Sequence, residues 1–296
     1  MRSRLVPSLC VGFSWACALV VPTAIAVLLG FLLWRGLPTL GPELLFGDTP
    51  AFDALFRGRP VFDGLWPACA GTLCLVLLST AAAAPLGVAG GAYLAEYATG
   101  RTREWLTLGV DMLAGIPSII MGLFGFALIL LLRQTLLPQA NTCLLLAAGC
   151  LALLTLPYLI NATRVSLEGL PPELRVTGAS LGLTRMQILT RVLLPAASKG
   201  VLGGLILTVG RAAEDTAVIL LTGVVANAGA PSSLTGKFEA LPFQIYYIAA
   251  EHQTQADLDR GFGAALLLLC FTTALFIGTH RLRAAMEKRW KTGGAT

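Results

Sequence analysis

More than half of this 296-residue chain is hydrophobic (56%), only 12% is charged, and the mean hydropathy is +0.77. Soluble domains carry about 25% charged residues, so the composition excludes an ordinary soluble protein and indicates an integral membrane protein. The net charge is only +5, and no basic patch is interleaved with aromatic residues, which argues against nucleic acid as a partner.

The sequence offers no pattern typical of catalysis or metal binding. Its seven cysteines are odd in number, lie in or beside apolar runs and form no CxxC pair. The two histidines, His252 and His280, lie at a loop and at a segment end, without a Ser-His-Asp or HExxH arrangement. We therefore predict no enzymatic activity, no metal and no cofactor bound by this chain.

Six apolar runs are long enough to cross the hydrocarbon core, which requires about 20 residues per helix. The first continues past a faint signal-peptidase site to Leu33, and we interpret it as an uncleaved anchor. The predicted fold is all-α and polytopic, with six transmembrane helices. The predicted spans are roughly 9–33, 68–95, 106–132, 143–165, 200–225 and 262–280.

The third span contains a candidate helix break at Gly115, Pro117 and Ser118. Proline removes a backbone hydrogen bond, and such breaks are tolerated where a cavity or a neighbouring helix satisfies the freed carbonyl. The proline alone favours a simple kink.

A polar, basic hairpin at 173–195 separates the fourth and fifth spans. The pattern predicts a first short helix that ends at Gly182, a typical left-handed helix end, and a second helix with Thr184 and Gln187 as a capping box. Such a hairpin can dock a soluble partner. From the spacing alone, an ordinary amphipathic loop on the bilayer surface is the more favoured interpretation.

The fifth span carries three charged residues near its middle: Arg211, Glu214 and Asp215. An Arg or Asp costs about 2.5–3.5 kcal/mol at the centre of a membrane helix, so three such charged groups cannot face lipid. Their spacing allows each acid to reach the guanidinium along a helix. We favour a substrate pathway, with a structural ion-pair cluster between helices as the alternative.

The distribution of basic residues predicts the orientation. Apart from Arg211 within the fifth span, fourteen of the 21 Lys and Arg residues fall on the side that holds both termini and the 173–195 hairpin, and six fall on the other. Because cytoplasmic loops are enriched in Lys and Arg, both termini and the hairpin are predicted to be cytoplasmic.

The hairpin resembles the EAA loop of ABC-transporter permeases, whose consensus is EAA, three residues, G, nine residues and I-x-L-P. Gly182, Leu194 and Pro195 match this pattern. The consensus acid is replaced by Val176, and Glu173 is the candidate substitute. In that family the loop fits a cleft on the ATP-binding subunit.

Further motifs resemble the phosphate-specific permease family PstA, in the same order along roughly 66–280. The family motif G-R-A-x-G-E-T-A corresponds to 210–217, where Glu214 replaces the glycine, Asp215 replaces the glutamate and Thr216 matches. The other matching segments are YLAEY at 93–97, LAGIPSI at 113–119, GLFG at 122–125 and ALPFQIY at 240–246.

This resemblance implies the architecture of a type I ABC importer permease in the cell inner membrane. It divides the chain into a first helix with an extracytoplasmic loop (1–67), a permease domain (68–281) with its coupling loop (166–198), and a basic tail (282–296). The implied partners are a PstC-like permease subunit, two ATP-binding subunits that hold ATP, an extracytoplasmic phosphate-binding protein and membrane lipid. Arg211, Glu214, Asp215 and Thr216 are then expected along the phosphate pathway.

Three other interpretations remain open at this point. The nearest is an importer of the same architecture for another oxyanion or a phosphonate, which the extra acid Glu214 favours. An intramembrane enzyme would need a nucleophile and a base at membrane depth. A scaffold protein would need no buried charges.

Overall fold

The computed structural model describes residues 2–50, 52–53, 61, 64–135 and 137–293. Their regular structure is helical, apart from one isolated bridge between Val224 and Phe238. A 3₁₀ turn covers Leu37–Thr39 and a π-helical turn covers Leu189–Leu193. The α-helices are α1 Arg2–Gly36, α2 Pro42–Phe46, α3 Trp66–Glu96, α4 Gly100–Ala114, α5 Ser118–Thr135, α6 Leu144–Glu168, α7 Glu173–Ser180, α8 Arg185–Ile188, α9 Leu194–Glu214, α10 Ala217–Thr222, α11 Leu241–Glu251 and α12 Gln255–Gly293.

Six helical segments of the described chain are long and apolar enough to cross a membrane, which confirms the predicted polytopic all-α fold. They comprise Phe13–Thr39, Trp66–Glu96, Ser118–Thr135, Leu144–Glu168, Arg185–Glu214 and Gln255–Arg281.

The predicted third span, 106–132, is wrong as one continuous helix. Its first part belongs to α4, which ends at Ala114, and only α5 is apolar enough to span. The N–H of Gly115 donates to the carbonyls of Asp111 and Met112, and Pro117 directly precedes the first residue of α5. Because a residue before proline is disfavoured in the helical conformation, the chain separates into two helices here instead of kinking.

The predicted fifth span, 200–225, is also wrong at both ends. Helix continues unbroken from α8 through the π turn into α9, and it ends at Glu214. Pro195 does not interrupt this helix, because it occupies the first turn of α9. The preceding turn widens, and the N–H of Leu194 donates to the carbonyl of Leu189.

The helix α6 lies at the centre of the bundle and is the most buried of the six spans. It packs along α3, where a Cβ atom at Gly91 would come within 2.6 Å of the Ile160 carbonyl oxygen and of Thr163. It also packs along α9, where Gly204 faces Ala162. Small residues therefore let these helices approach closely, as in many membrane bundles.

The segment between α10 and α11 closes the end of α6. The first N–H groups of α6 have no hydrogen-bond partners within the helix. The N–H groups of Cys143, Leu144 and Leu145 instead donate to the carbonyls of Thr222, Gly236 and Leu234, at 2.9 to 3.0 Å. The loop predicted at 226–260 is thus an ordered cap, and it contains α11.

The buried carboxylate of Glu239 holds this cap together. It accepts hydrogen bonds from the N–H of Gly229 (2.7 Å) and from the side-chain amide of Gln244 (2.9 Å). The hydroxyl of Thr72 on α3 accepts from the N–H of Leu241, which ties the start of α11 to the bundle.

Most of α1 lies apart from this bundle. Its contacts with α12 include a T-shaped pair between Phe31 and Phe262, with ring centroids 5.5 Å apart. An ion pair of 3.1 Å joins Arg35 to Asp259. The apolar part of the first span is otherwise exposed, so lipid or another subunit must cover it.

Candidate substrate pathway and coupling loop

The helix break at Asp215 is the central feature of the candidate pathway. Asp215 leaves the helical conformation, with φ −75° and ψ 119°. Its Oδ1 atom accepts a hydrogen bond of 2.9 Å from the N–H of Val218, in the first turn of α10. Aspartate favours this kind of helix start over a helix interior, which explains why α9 stops and α10 begins here.

The three charged residues occupy different environments. Asp215 is buried, its side chain 3% exposed, whereas the Arg211 side chain is 44% exposed and Glu214 is also exposed. Arg211 Nη2 lies 4.0 Å from Asp215 Oδ2, at the outer limit of an ion pair.

Glu214 does not join this pair in the part of the chain that the structure describes. Glu214 is the last residue of α9, three positions after Arg211 on the same helix, and its side chain is exposed. Only Asp215 lies within ion-pair distance of Arg211 among the described residues, so one of the two acids expected to reach the guanidinium does so.

The packing of α9 on α6 shows the depth of Arg211. Gly204 lies level with Ala162, and Arg211 follows seven residues later, about 10 Å along the helix. Leu144, at the start of α6, is about 27 Å from Ala162, so Arg211 lies level with the middle of α6. A charged pair is therefore at membrane depth, although it lies at a helix end.

The break between α9 and α10 and the break between α4 and α5 lie on neighbouring helices. The start of α10 packs on α5, where a Cβ atom at Gly122 would come within 3.0 Å of the Ala217 carbonyl oxygen. Ser118 is one turn earlier on α5 and directly follows Gly115 and Pro117. Thr216, half-buried, lies between Asp215 and α10, and its carbonyl accepts from the N–H of Leu220.

The hairpin has the local structure that its sequence predicts. Thr184 and Gln187 form both hydrogen bonds of a capping box. Gly182 has a φ of +75°, a conformation that side chains with a Cβ branch tolerate poorly. Ile188, Leu189 and Leu193 are buried against the C-terminal ends of α3 and α6, in a cluster that includes Ala92 and Leu167.

An ion pair that sequence reasoning missed attaches the hairpin to the bundle. Arg175 donates from Nη2 to Glu96 Oε1 at 2.6 Å and from Nε to Glu96 Oε2 at 3.1 Å. Its guanidinium also donates to the carbonyls of Leu167 and Leu170. The hydrogen bonds to Glu96 raise the pKa of Arg175 above its ordinary value, so the guanidinium is charged at every physiological pH.

The remaining hairpin residues have less distinctive surroundings. Glu173, in the first turn of α7, is exposed. Pro195 and Leu194 open α9, and Leu194 packs against the buried hairpin cluster. Gly178 takes the second alanine position of the EAA consensus, and a Cβ atom there would come within 2.9 Å of Ile188.

Comparison with known proteins identifies the family. Residues 87–292 match the family model described as "Binding-protein-dependent transport system inner membrane component". The chain belongs to this family. It is therefore a multi-pass transport permease, and its relatives are not enzymes.

Several relatives carry the same permease name. Phosphate transport system permease protein PstA 1 of Mycobacterium tuberculosis is 33% identical over 76% of this chain and 72% of that protein. PstA of Haemophilus influenzae is 31% identical over 92% of this chain and 89% of that protein.

Solved ABC importers share the fold of this permease. A chain of the MetNI methionine ABC transporter, in an inward-facing conformation, superposes with a TM-score of 0.58 at 20% identity. The match covers 80% of this chain and 99% of that one. A chain of a bacterial alginate ABC transporter gives a TM-score of 0.58 at 15% identity, over 91% of this chain and 95% of that one.

We expect the Arg175–Glu96 ion pair to stabilise the hairpin against local opening. Arg175→Met removes the hydrogen bonds to Glu96, Leu167 and Leu170, and it should lower the free energy of local hairpin opening by about 1–2 kcal/mol. Amide hydrogen exchange of peptides from α7 and α8 should then be about five- to thirtyfold faster than in the wild type. Arg191→Met, on the same hairpin, is the matched control and should leave this exchange unchanged. Equal exchange in Arg175→Met and wild type would show that the apolar cluster alone holds the hairpin.

Proposed function

We propose that this permease subunit imports inorganic phosphate and forms one half of the translocation pathway. The observation that carries the proposal is the exposed guanidinium of Arg211 at membrane depth, in a chain whose relatives are named phosphate transport permeases. Guanidinium groups bind oxyanions through paired N–H donors, which suits a tetrahedral anion.

Exposure of Arg211 and Glu214 supports a water-filled pathway in place of a lipid-facing surface. Charges in the middle of a membrane helix are unfavourable toward lipid and usually line a cavity or a subunit contact. Asp215 is hydrogen-bonded to α10 and weakly paired with Arg211, so it orients the guanidinium without occupying all its donors. Glu214 repels an arriving anion, which would keep binding weak enough for release.

The alternative that the sequence leaves open, an importer for another oxyanion or for a phosphonate, is not favoured, because the relatives are named phosphate transport permeases.

The proposed partners follow from the half-pathway and from the hairpin. A PstC-like permease subunit would complete the pathway, an extracytoplasmic binding protein would deliver phosphate, and two ATP-binding subunits would bind and hydrolyse ATP. The hairpin presents exposed apolar side chains for docking, namely Val176 (65%), Leu181 (75%) and Met186 (60%). Glu173 supplies an acid beside them.

The proposed orientation places both termini and the hairpin in the cytoplasm, on the basis of the excess of Lys and Arg there. A cysteine introduced at Arg185, in a variant without the native cysteines, should react with an impermeant thiol reagent only from the cytoplasmic side. A cysteine at Ser232 should react only from outside. Labelling of position 185 in intact cells would reverse the orientation and exclude ATP-binding subunits as partners of the hairpin.

Because Gly182 has a left-handed conformation, we predict that a substitution there impairs coupling to ATP hydrolysis without preventing insertion in the membrane. Gly182→Val should still insert in the membrane, but uptake and substrate-stimulated ATP hydrolysis should fall about tenfold, since valine disfavours positive φ. Gly182→Asn is the matched control, because asparagine tolerates this conformation, and it should keep most of the activity. No atom lies within 4 Å of a Cβ atom at Gly182, so the Cβ atom that both variants add is not crowded. Equal uptake by both variants would contradict a coupling role for the hairpin turn.

The charged cluster predicts the outcome of neutralisation. A triple variant, Arg211→Met, Glu214→Gln and Asp215→Asn, removes the anion-binding group, while the asparagine oxygen can still accept from the N–H of Val218. It should assemble with its partners, because replacing an ion cluster by neutral groups is often neutral for stability. Labelled-phosphate uptake, in cells without other phosphate importers, should fall at least about tenfold.

Two comparisons make this experiment decisive. Arg211→Lys keeps the charge but loses the planar fork, so it should retain part of the uptake. Near wild-type uptake by the triple variant, at equal membrane levels of the complex, would show that the cluster only joins helices.

A further inference from the structure

An apolar groove runs along the outside of the bundle between α3, α5 and α6. It has a volume of about 470 Å³, and all of its lining residues are apolar, including Leu86, Phe124, Leu128 and Leu153. Its floor is open at Gly149, where a Cβ atom would meet no atom within 4 Å. An unfilled groove of this size forfeits dispersion contacts, so it favours an apolar occupant.

The length of the groove corresponds to one leaflet of a bilayer. Along α6 its lining extends from Cys143 to Leu156, thirteen residues or about 20 Å. The hydrocarbon core is about 30 Å thick, so the groove begins at one membrane surface and ends just beyond the midplane. This is the depth range of an acyl chain anchored at the surface on the side of the α5–α6 loop.

A second cavity, of about 640 Å³, forms a mouth at that surface, and its lining is mainly apolar but includes polar side chains. It shares Ile129, Leu132 and Cys143 with the groove, and it adds the polar side chains of Gln139, Asn141 and Thr235. The two cavities therefore form one continuous site, and polar side chains line only its end at the membrane surface.

The mouth is positively charged. The exposed Arg133 donates from Nε to the Ala140 carbonyl at 2.9 Å and from Nη2 to Asn141 Oδ1 at 2.8 Å, which places its guanidinium beside the cavity. Lys237, also exposed, follows two residues after Thr235. Basic groups at a membrane surface attract anionic lipid headgroups.

We propose that this site binds one anionic phospholipid, with an acyl chain in the groove and the phosphate headgroup beside Arg133. A helix of a second permease subunit would satisfy the apolar groove but not the polar, cationic mouth that continues from it. An amphiphile satisfies both parts at once. The proposal does not depend on which ion the permease transports.

The first experiment fills the groove. The complex of this chain with its partner subunits is purified in mild detergent, and native mass spectrometry with lipid extraction counts the phospholipid retained. Gly149→Leu places a side chain in the open floor of the groove and should reduce retained phospholipid about fivefold. Gly30→Leu is the matched control, because Gly30 on α1 also has no atom within 4 Å of a Cβ position and lies a similar distance from its helix end. It should retain lipid like the wild type.

The second experiment tests the headgroup. In bilayer discs with equal amounts of phosphatidylglycerol and phosphatidylethanolamine, lipid retained by the wild type should be enriched about threefold in phosphatidylglycerol. The double variant Arg133→Gln, Lys237→Gln should lose this enrichment, and Lys237→Gln alone, which leaves the loop contacts of Arg133 intact, should reduce it in part.

Three results would overturn the proposal. They are equal lipid retention in Gly149→Leu and wild type, no headgroup preference in the wild type, or loss of the second permease subunit from Gly149→Leu. The last result would identify the groove as a subunit interface.

Discussion

Every backbone polar group at membrane depth must find a partner within the protein, because hydrocarbon offers none. The need for such partners explains how two helix ends in this structure are completed. At the α9–α10 break, the Asp215 carboxylate accepts from the N–H of Val218. At the start of α6, the carbonyls of Thr222, Leu234 and Gly236 accept from three N–H groups. The central helix and the broken helix are therefore completed by the same stretch of chain.

The continuous helix from α8 to α9 connects the two parts that the proposed function requires. Its first residues belong to the hairpin that is held by Arg175 and Glu96, and it ends at Glu214 beside the candidate anion site. A π turn replaces a proline break, so the connection is not interrupted at Pro195. In the proposed mechanism, a displacement of the hairpin by an ATP-binding subunit reaches the pathway along one rigid element.

Local structure was largely predictable from the sequence, for reasons visible in particular residues. Apolar length alone predicted six spans, because the thickness of the bilayer determines how many residues a span needs. The capping box at Thr184 and Gln187 and the left-handed turn at Gly182 depend on residues a few positions apart, so short-range chemistry predicts them. Charges in a span likewise marked Arg211 and Asp215 as residues that cannot face lipid.

The tertiary structure alone decided which distant residues meet. Glu96 and Arg175 are 79 positions apart, and no local pattern pairs them. The same holds for the contact of Gly204 with Ala162 that places Arg211 at mid-depth, and for the groove that three separate helices enclose. Hydropathy averages over a window, so it joined α9 and α10 into one span and overlooked the break at Asp215. That break depends on a side-chain hydrogen bond and on the close approach of α10 to Gly122, which only the packed structure specifies.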